Sequence, residues 1–335
     1  MSNASRVARY QQTEKGQAAL ARGRATEKAN GAAKARTERR IADGRNAITC
    51  AKYQLNQKVY AAEVWREAPE KRHPIEAKRV VVLSDIQIPF EDPAAVNQAL
   101  AIIEIVKPDT VILNGDIVDC YAESDFLKDP KKSAESIPET HERTDQLMRA
   151  LKGIPQKLWV GGNHEDRWRK LLWSEAPYCK RLLAMHEEAS GRAITLLDST
   201  KSFAKLFSMD KYGFTYYPYG HRLYLAEGNL AITHGKYASR HSGYSAKRTW
   251  EWLGKSCIVG HTHRMGSFLV TQDGREMGAW ENGCLCQLEP EYDDAPNWQQ
   301  GFSVIRITGP QFHVIPVPIV RRNNKPVAVW QGMDR

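Results

Sequence analysis

Apolar residues fall in short runs along most of this chain, and the spacing of those runs changes with position. Arg79-Val80-Val81-Val82-Leu83-Ser84 is β-branched and continuous, and reads as a buried strand. After it, Val96, Leu100, Ile103 and Val106 recur at helical spacing behind Pro93, which predicts a helix over residues 93–106. Thr110–Leu113 reads as a second strand. A polar connection over 123–136 then leads to a helix from about Pro138 to Leu151, and Lys157–Val160 reads as a third strand. Alternation of this kind predicts βαβ units around a parallel sheet, where ligands collect at the carboxyl ends of the strands.

Beyond Glu165 a helical pattern runs through Trp168, Leu171 and Leu172, with a break at Pro177 and a second helix to about Ala189. Residues 195–220 are aromatic and irregular. Short strands are expected at Arg222–Ala226 and Leu230–Thr233, a helix over 242–253, and a strand at Ser256–Val259. Four further runs (267–271, 276–280, 302–307 and 312–317) alternate with turns at Asp273-Gly274 and Gly309-Pro310. They predict a second, largely antiparallel sheet.

Charge separates the first 79 residues from the rest. They hold 18 Lys/Arg against 8 Asp/Glu, a balance of +10, whereas the remainder holds 30 against 31, a balance of −1. The composition of residues 1–72 favours helix, but glycines at 16, 23, 31 and 44 interrupt it. The region reads either as a solvated helical extension or as an arm for DNA or RNA, since clustered cations on mobile chain favour phosphate contacts. We expect this basic extension over 1–75, a globular domain over 76–320, and a tail over 321–335. No apolar run approaches the roughly 20 residues that cross a bilayer, and the polar N-terminus lacks a secretory signal, so the expectation is a cytoplasmic protein. Cys50, Cys120, Cys179, Cys257, Cys284 and Cys286 contain no CxxC pair and read as free thiols.

Potential ligands stand where the strands end. The first strand runs into Asp85-Ile86-Gln87, the second into Gly115-Asp116-Ile117-Val118-Asp119, and the third into Gly162-Asn163-His164-Glu165. A later strand runs into His234-Gly235 and the last into Gly260-His261-Thr262-His263. One aspartate after a strand is usually a turn former or helix cap; five such termini on one rim of a sheet predict a site.

In order and spacing these residues resemble the calcineurin-like metallophosphoesterases, whose pattern is D-x-H, GD-x-x-D, GNH-D/E, a later H, and GH-x-H. The resemblance covers about residues 79–318 and implies a four-layer α/β/β/α sandwich. It implies two divalent ions bridged by Asp116, the first held by Asp85, Gln87, Asp116 and His263 and the second by Asp116, Asn163, His234 and His261. Ions so placed activate a hydroxide for in-line attack on a phosphate ester. His164 would then protonate the leaving group, oriented by Asp119, although a helix N-cap is the plainer reading of Asp119. Glu165 and Asp166 are expected to cap the following helix.

Gln87 departs from the family's histidine and offers only a neutral carbonyl oxygen. A looser first site follows, with a preference for Mn²⁺ over Fe, Zn²⁺ or Mg²⁺. Arg240, His241, Lys247 and Arg264 are candidates for gripping phosphate, against the alternative of a solvated loop and helix face. Gly161 before the third motif and Cys120-Tyr121 after the second disfavour a Ser/Thr protein phosphatase. A nucleotide or nucleic-acid phosphomonoester or diester is the expected substrate. The basic extension and the first-motif glutamine also resemble phosphoesterases of phages and prophages, which implies a host cytoplasm. The alternative is a nucleic-acid-binding protein whose phosphoesterase fold is inactive.

Overall fold

The computed structural model describes residues 71–124, 130–171, 199–272, 274–289, 296–323, 325–330 and 333–334, together with residue 17. The expectations for the basic N-terminal extension and for the helix near Ala189 lie outside these residues, as do Cys50 and Cys179. In chain order the strands are β1 (Arg72–Pro74), β2 (Arg79–Leu83), β3 (Thr110–Asn114), β4 (Gln156–Val160), β5 (Phe214–Tyr217), β6 (Arg222–Leu225) and β7 (Leu230–Thr233). They continue with β8 (Ser256–Val259), β9 (Met265–Gln272), β10 (Arg275–Asn282), β11 (Gly301–Thr308), β12 (Gln311–Arg322), β13 (Lys325–Trp330) and β14 (Met333–Asp334). One sheet has the order β14-β13-β12-β11-β2-β3-β4-β5 and the other β1-β6-β7-β8-β10-β9.

Side-chain alternation explains why the two sheets stack. In β2, Val81 and Leu83 point to one face and Val80 and Val82 to the other; β3 and β4 repeat this with Val111 and Leu113 against Ile112, and Trp159 against Leu158 and Val160. The first set joins Ile102, Ile103, Leu147, Met148 and Phe203 in a core beneath helices Pro93–Val106, Pro130–Ala150 and Ser199–Leu206. The second set meets Leu223, Leu225, Leu230, Ile232 and Ile258 of the other sheet. Ala231, Cys257, Val259 and Ala279 face outward and are covered by Ala246 of helix Tyr244–Leu253. Three cores between helix, sheet, sheet and helix make an α/β/β/α sandwich. No described helix is long and apolar enough to cross a membrane.

Helix Pro93–Val106 begins where Asp92 accepts from the amides of Ala94 and Ala95, with Pro93 needing no acceptor, and it ends at left-handed Lys107. Several elements depart from the sequence reading. The second helix starts at Pro130 and carries Pro138 inside it. The segment read as irregular contains helix Ser199–Leu206 and β5, which extends the first sheet parallel to β4. The four C-terminal runs do not form one sheet: β10 pairs parallel with β8 and antiparallel with β9, while β11 pairs antiparallel with both β2 and β12. The domain also exceeds the expected limits, because β1 pairs with β6, and β13 pairs with β12 where a tail was expected. The four described cysteines, Cys120, Cys257, Cys284 and Cys286, are buried free thiols.

The β1–β6 pair brings His73 Nε2 within 2.8 Å of His221 Nδ1, their rings stacked at 5.1 Å. Burial, then the nearby charges of His73, Lys71 and Arg222, push the His221 imidazole down to about 4. An unfolded His221 takes up its proton near pH 6.5, whereas the folded one resists until pH 4, so acidification across that window favours the unfolded chain. Urea midpoints should therefore fall between pH 7 and 4.5, and fall less steeply in His221→Asn. Parallel pH dependence in the two proteins would refute the assignment.

Candidate metal centre

Five strand ends meet on one rim shared by both sheets: β2, β3 and β4 contribute from the first, β7 and β8 from the second. The loops are laced together by their backbones. Asp85 N–H donates to Gly115 O, Gln87 N–H to Asp116 O and Gly260 N–H to His234 O, each at 3.0 Å. Asp85, Gln87, Asp116, His261 and His263 all have positive φ, from 51° to 72°. Left-handed backbone costs a non-glycine residue about 1 kcal/mol or more, and its concentration here turns five side chains inward that regular strand geometry would aim elsewhere.

The geometry centres on Asp116, which is 1% exposed. Its Oδ2 lies 3.2 Å from His234 Nε2 and 3.4 Å from Gln87 Nε2; its Oδ1 accepts the His164 amide at 2.9 Å. His234 Nε2 is also 3.2 Å from Asn163 Oδ1, while its Nδ1 donates to Asn114 O at 2.9 Å. On the other side, His263 Nε2 is 3.3 Å from both Asp85 Oδ1 and Gln87 Nε2. One ligand atom from each of Asp116, His234 and His261 falls within a 4.8 Å span, and the same holds for Asp85, Asp116 and His263. Asp116 thus belongs to both groups.

Electrostatics reinforce the cluster. Burial would raise the Asp116 carboxyl, but the facing His164 and His234 imidazoles outweigh it and hold it well below the ordinary range. His234 and His263 lose by burial yet gain more from Asp116 and Asp85, and both are lifted to about 10. Without a cation, this pocket balances two buried carboxylates with protons.

His164 Nδ1 is 2.8 Å from Asp119 Oδ1, and its Nε2 stands 3.7 Å from Asp116 Oδ2. Burial disfavours the imidazolium, but Asp116 and Asp119 prevail and raise its pKa. Arg167, one helical turn on, was not singled out in the sequence: its Nη1 donates to Asp119 Oδ1 and O at 2.8 Å, and its Nη2 lies 3.3 Å from His164 Nε2. The three-residue spacing on a helical stretch is the signal that would have found it. Cys286 is a further omission, with Sγ 3.7 Å from His263 Nδ1. Cys284 and Cys286 form a third ligand-type group with that histidine.

Glu165 corrects a sequence expectation. Rather than simply capping the following helix, its carboxylate accepts from Gly162 N at 2.7 Å, Asp116 N at 2.9 Å, Ile117 N at 2.8 Å and Val118 N at 3.2 Å. It clasps the second motif to the third. Asp166 does stay on its own helix, paired with Arg169 at 2.6 Å. Two glycines are dictated by close approach: a Cβ on Gly162 would stand 2.1 Å from Asp116 Oδ1, and one on Gly260 2.6 Å from Asp85 Oδ2.

The expected phosphate-gripping residues are not gathered in one place. Arg264 spends its guanidinium on the carbonyls of Ser239 and Asn297, tying two loops together. Lys247 pairs with Glu251 at 3.6 Å. Arg240 and His241 are exposed.

Residues 78–265 match the family described as calcineurin-like phosphoesterase. The chain belongs to that family, whose members bind divalent metals. It is 30% identical over 262 residues to the Gene 54 protein of Mycobacterium phage D29, covering 73% of this chain and 94% of the phage protein. Similar solved structures include a Vps29 variant from Entamoeba histolytica, with a TM-score of 0.37 and 12% identity over 75% of this chain and 96% of that one. Another is the nuclease MPE of Pseudomonas putida, with a TM-score of 0.32 and 10% identity over 70% and 87%. Likenesses this distant bear on neither substrate nor mechanism.

Glu165→Ala should leave four buried amides without their acceptor and cost about 3 kcal/mol or more. A chemical-denaturation midpoint should drop accordingly, while Asp166→Ala, which loses a pairing within its own helix and leaves the second motif's amides satisfied, should cost less. Equal losses would show that Glu165 has no clasping role.

Proposed function

We propose that this phosphoesterase hydrolyses a phosphomonoester or diester of a nucleotide or nucleic acid, with two divalent ions held either side of Asp116. The observation that carries this reading is the membership of one buried carboxylate in two overlapping groups of ligand atoms. The donor set fits such ions: carboxylates, imidazoles and amide oxygens suit Mn²⁺, Fe or Zn²⁺. Gln87 adds a specific sign of fit. Its Oε1 is buried with no hydrogen-bond partner among the described residues, while its Nε2 sits 3.3 Å from the ring nitrogen of His263. A half-turn of the amide exchanges the two ends and presents the oxygen between Asp116 and His263, where a cation would satisfy it.

On this reading Asp85, Gln87, Asp116 and His263 hold one ion, and Asp116, Asn163, His234 and His261 the other. Bound there, such ions acidify water to a nucleophile near neutral pH and neutralise phosphoryl charge. The neutral amide at 87 makes Mn²⁺ the preferred metal. His164 donates the proton at Nε2 to the departing oxygen, because Asp119 engages Nδ1 and leaves Nε2 facing the Asp116 side of the pocket. Arg167 fixes Asp119 in place and brings its second guanidinium nitrogen beside His164, within reach of a phosphoryl oxygen. The basic residues ahead of the domain would hold a polyanionic substrate.

The metal-stripped protein, given back Mn²⁺, Mg²⁺ or Zn²⁺, should hydrolyse a nitrophenyl phosphomonoester or diester. Turnover of neither these nor single-stranded DNA would overturn the reading and leave the inactive-fold alternative. Asp116→Asn should abolish metal-dependent hydrolysis. His164→Ala should keep its metal content but lose about 10²–10⁴-fold in kcat on esters with poor leaving groups, and less on nitrophenyl esters, which need little protonation. Gln87→His should bind Mn²⁺ or Zn²⁺ more tightly in an equilibrium titration; unchanged affinity would remove residue 87 from the ligand set.

A further inference from the structure

Directly after His234, the chain enters a surface of alternating cations and aromatic rings. Lys236 Nζ lies 4.3 Å from the centre of the Trp252 ring and 5.1 Å from that of Tyr237. The Arg222 guanidinium covers Trp252 at 4.9 Å, and that of Arg248 covers Tyr237 at 4.4 Å. The order is Arg222, Trp252, Lys236, Tyr237, Arg248. Helix Tyr244–Leu253 supports this ladder by spacing alone: Tyr244, Arg248 and Trp252, four residues apart, share one face and are all exposed. Trp252 is 49% exposed and Tyr244 46%, values uncommon for large rings on a folded domain.

Charge is the second observation. Arg222, Lys236 and Arg248 have no carboxylate partner among the described residues, and Arg222 Nε is buried without any acceptor. Three cations are therefore held side by side against π-faces, in a part of the chain whose overall charge is nearly balanced. A bound anion would relieve that repulsion. The surface also starts at the metal centre: Lys236 is two residues from His234, at most about 7 Å along the backbone. Tyr219 bridges the interval, its ring 6.2 Å from that of His234 and its hydroxyl donating to Gly235 O at 3.1 Å.

Interleaved cations and rings, with Trp252 exposed and Tyr237 partly so, match one ligand chemistry. A single-stranded nucleic acid offers phosphates to the cations and unpaired bases to the guanidinium planes and to the uncovered part of Trp252; a duplex hides those bases, and a free phosphate or lipid headgroup has none. We propose that the Arg222–Trp252–Lys236–Tyr237–Arg248 ladder is a track that leads single-stranded nucleic acid into the metal centre. The inference rests on the phosphoesterase reading above and narrows its substrate to an unpaired strand.

The test is equilibrium binding of a fluorescent oligothymidylate to the full chain in chelator, where no strand is cut, across a range of salt. Trp252→Ala should weaken binding by about 5- to 150-fold, and Trp252→Phe should restore most of it. Lys236→Gln keeps both rings and should lower the slope of log affinity against log salt by about 0.7. A duplex of equal length should bind more weakly and respond little to Trp252→Ala. Unchanged affinity in Trp252→Ala together with an unchanged slope in Lys236→Gln would overturn the track, even if the basic N-terminal residues bind the strand. Ladder-dependent binding without hydrolysis of any ester would sink the phosphoesterase reading alone. Turnover of nitrophenyl esters without ladder-dependent binding would sink the track alone.

Discussion

The Asp116 carboxylate must sit out of water, within hydrogen-bonding distance of groups borne by three other loops, and most of the local architecture answers to that demand. A buried carboxylate is costly unless its surroundings return the lost hydration. His164 N–H, the His234 imidazole and the Gln87 amide do so here, and Glu165 fixes the backbone on which Asp116 is mounted. Gly162 has no side chain because the carboxylate occupies that volume. The left-handed turns at Asp85, Gln87, Asp116, His261 and His263 carry the remaining cost in backbone strain. Such a site spends stability on geometry, and the three layered cores supply it.

Much of this was legible before any coordinates. Ligand-type residues at five strand ends follow from local apolar runs and what terminates them, and local patterns survive folding. The register of helix Pro93–Val106 was equally plain, because its proline and its apolar spacing agree. What escaped the sequence was relational. Nothing in the run 302–307 says that it will pair with β2, more than two hundred residues earlier, rather than with β10 beside it. Pro138 resembles a helix start because proline is favoured there, yet it lies inside a helix that has already begun. Glu165 looks like a capping residue, three positions after Gly162, and it does accept that amide. Its other three partners sit 47–49 residues away and leave no local trace.

The cation–aromatic ladder was half-visible in the same sense. The sequence alone marks Arg240, His241 and Lys247 as the phosphate candidates of this region. The structure gives Lys247 a carboxylate in its own helix as well as the rings of Tyr244 and Phe268, and pairs Lys236 and Arg248 with rings and no described carboxylate. Trp252 belongs to this surface through helical spacing, and Arg222 through the neighbouring strand β6. Separating the members of a patch from its bystanders required the fold.

The placement of β11 has a consequence for how the protein comes into being. β2 lies between β3 and β11, and the Asp85 carbonyl accepts the amide of Leu285 while Leu285 O accepts that of Asp92. The first ligand loop is therefore braced by chain synthesised some two hundred residues later. A ribosome-bound nascent chain carrying residues 71–260 holds four strand-end motifs and part of the fifth, yet lacks the wall against which Asp85 is set. Long-range closure of this kind is slow relative to local helix formation. The first ligand loop therefore gains these two backbone braces only once residues near Leu285 are in place, later than the strands that carry the second and third motifs.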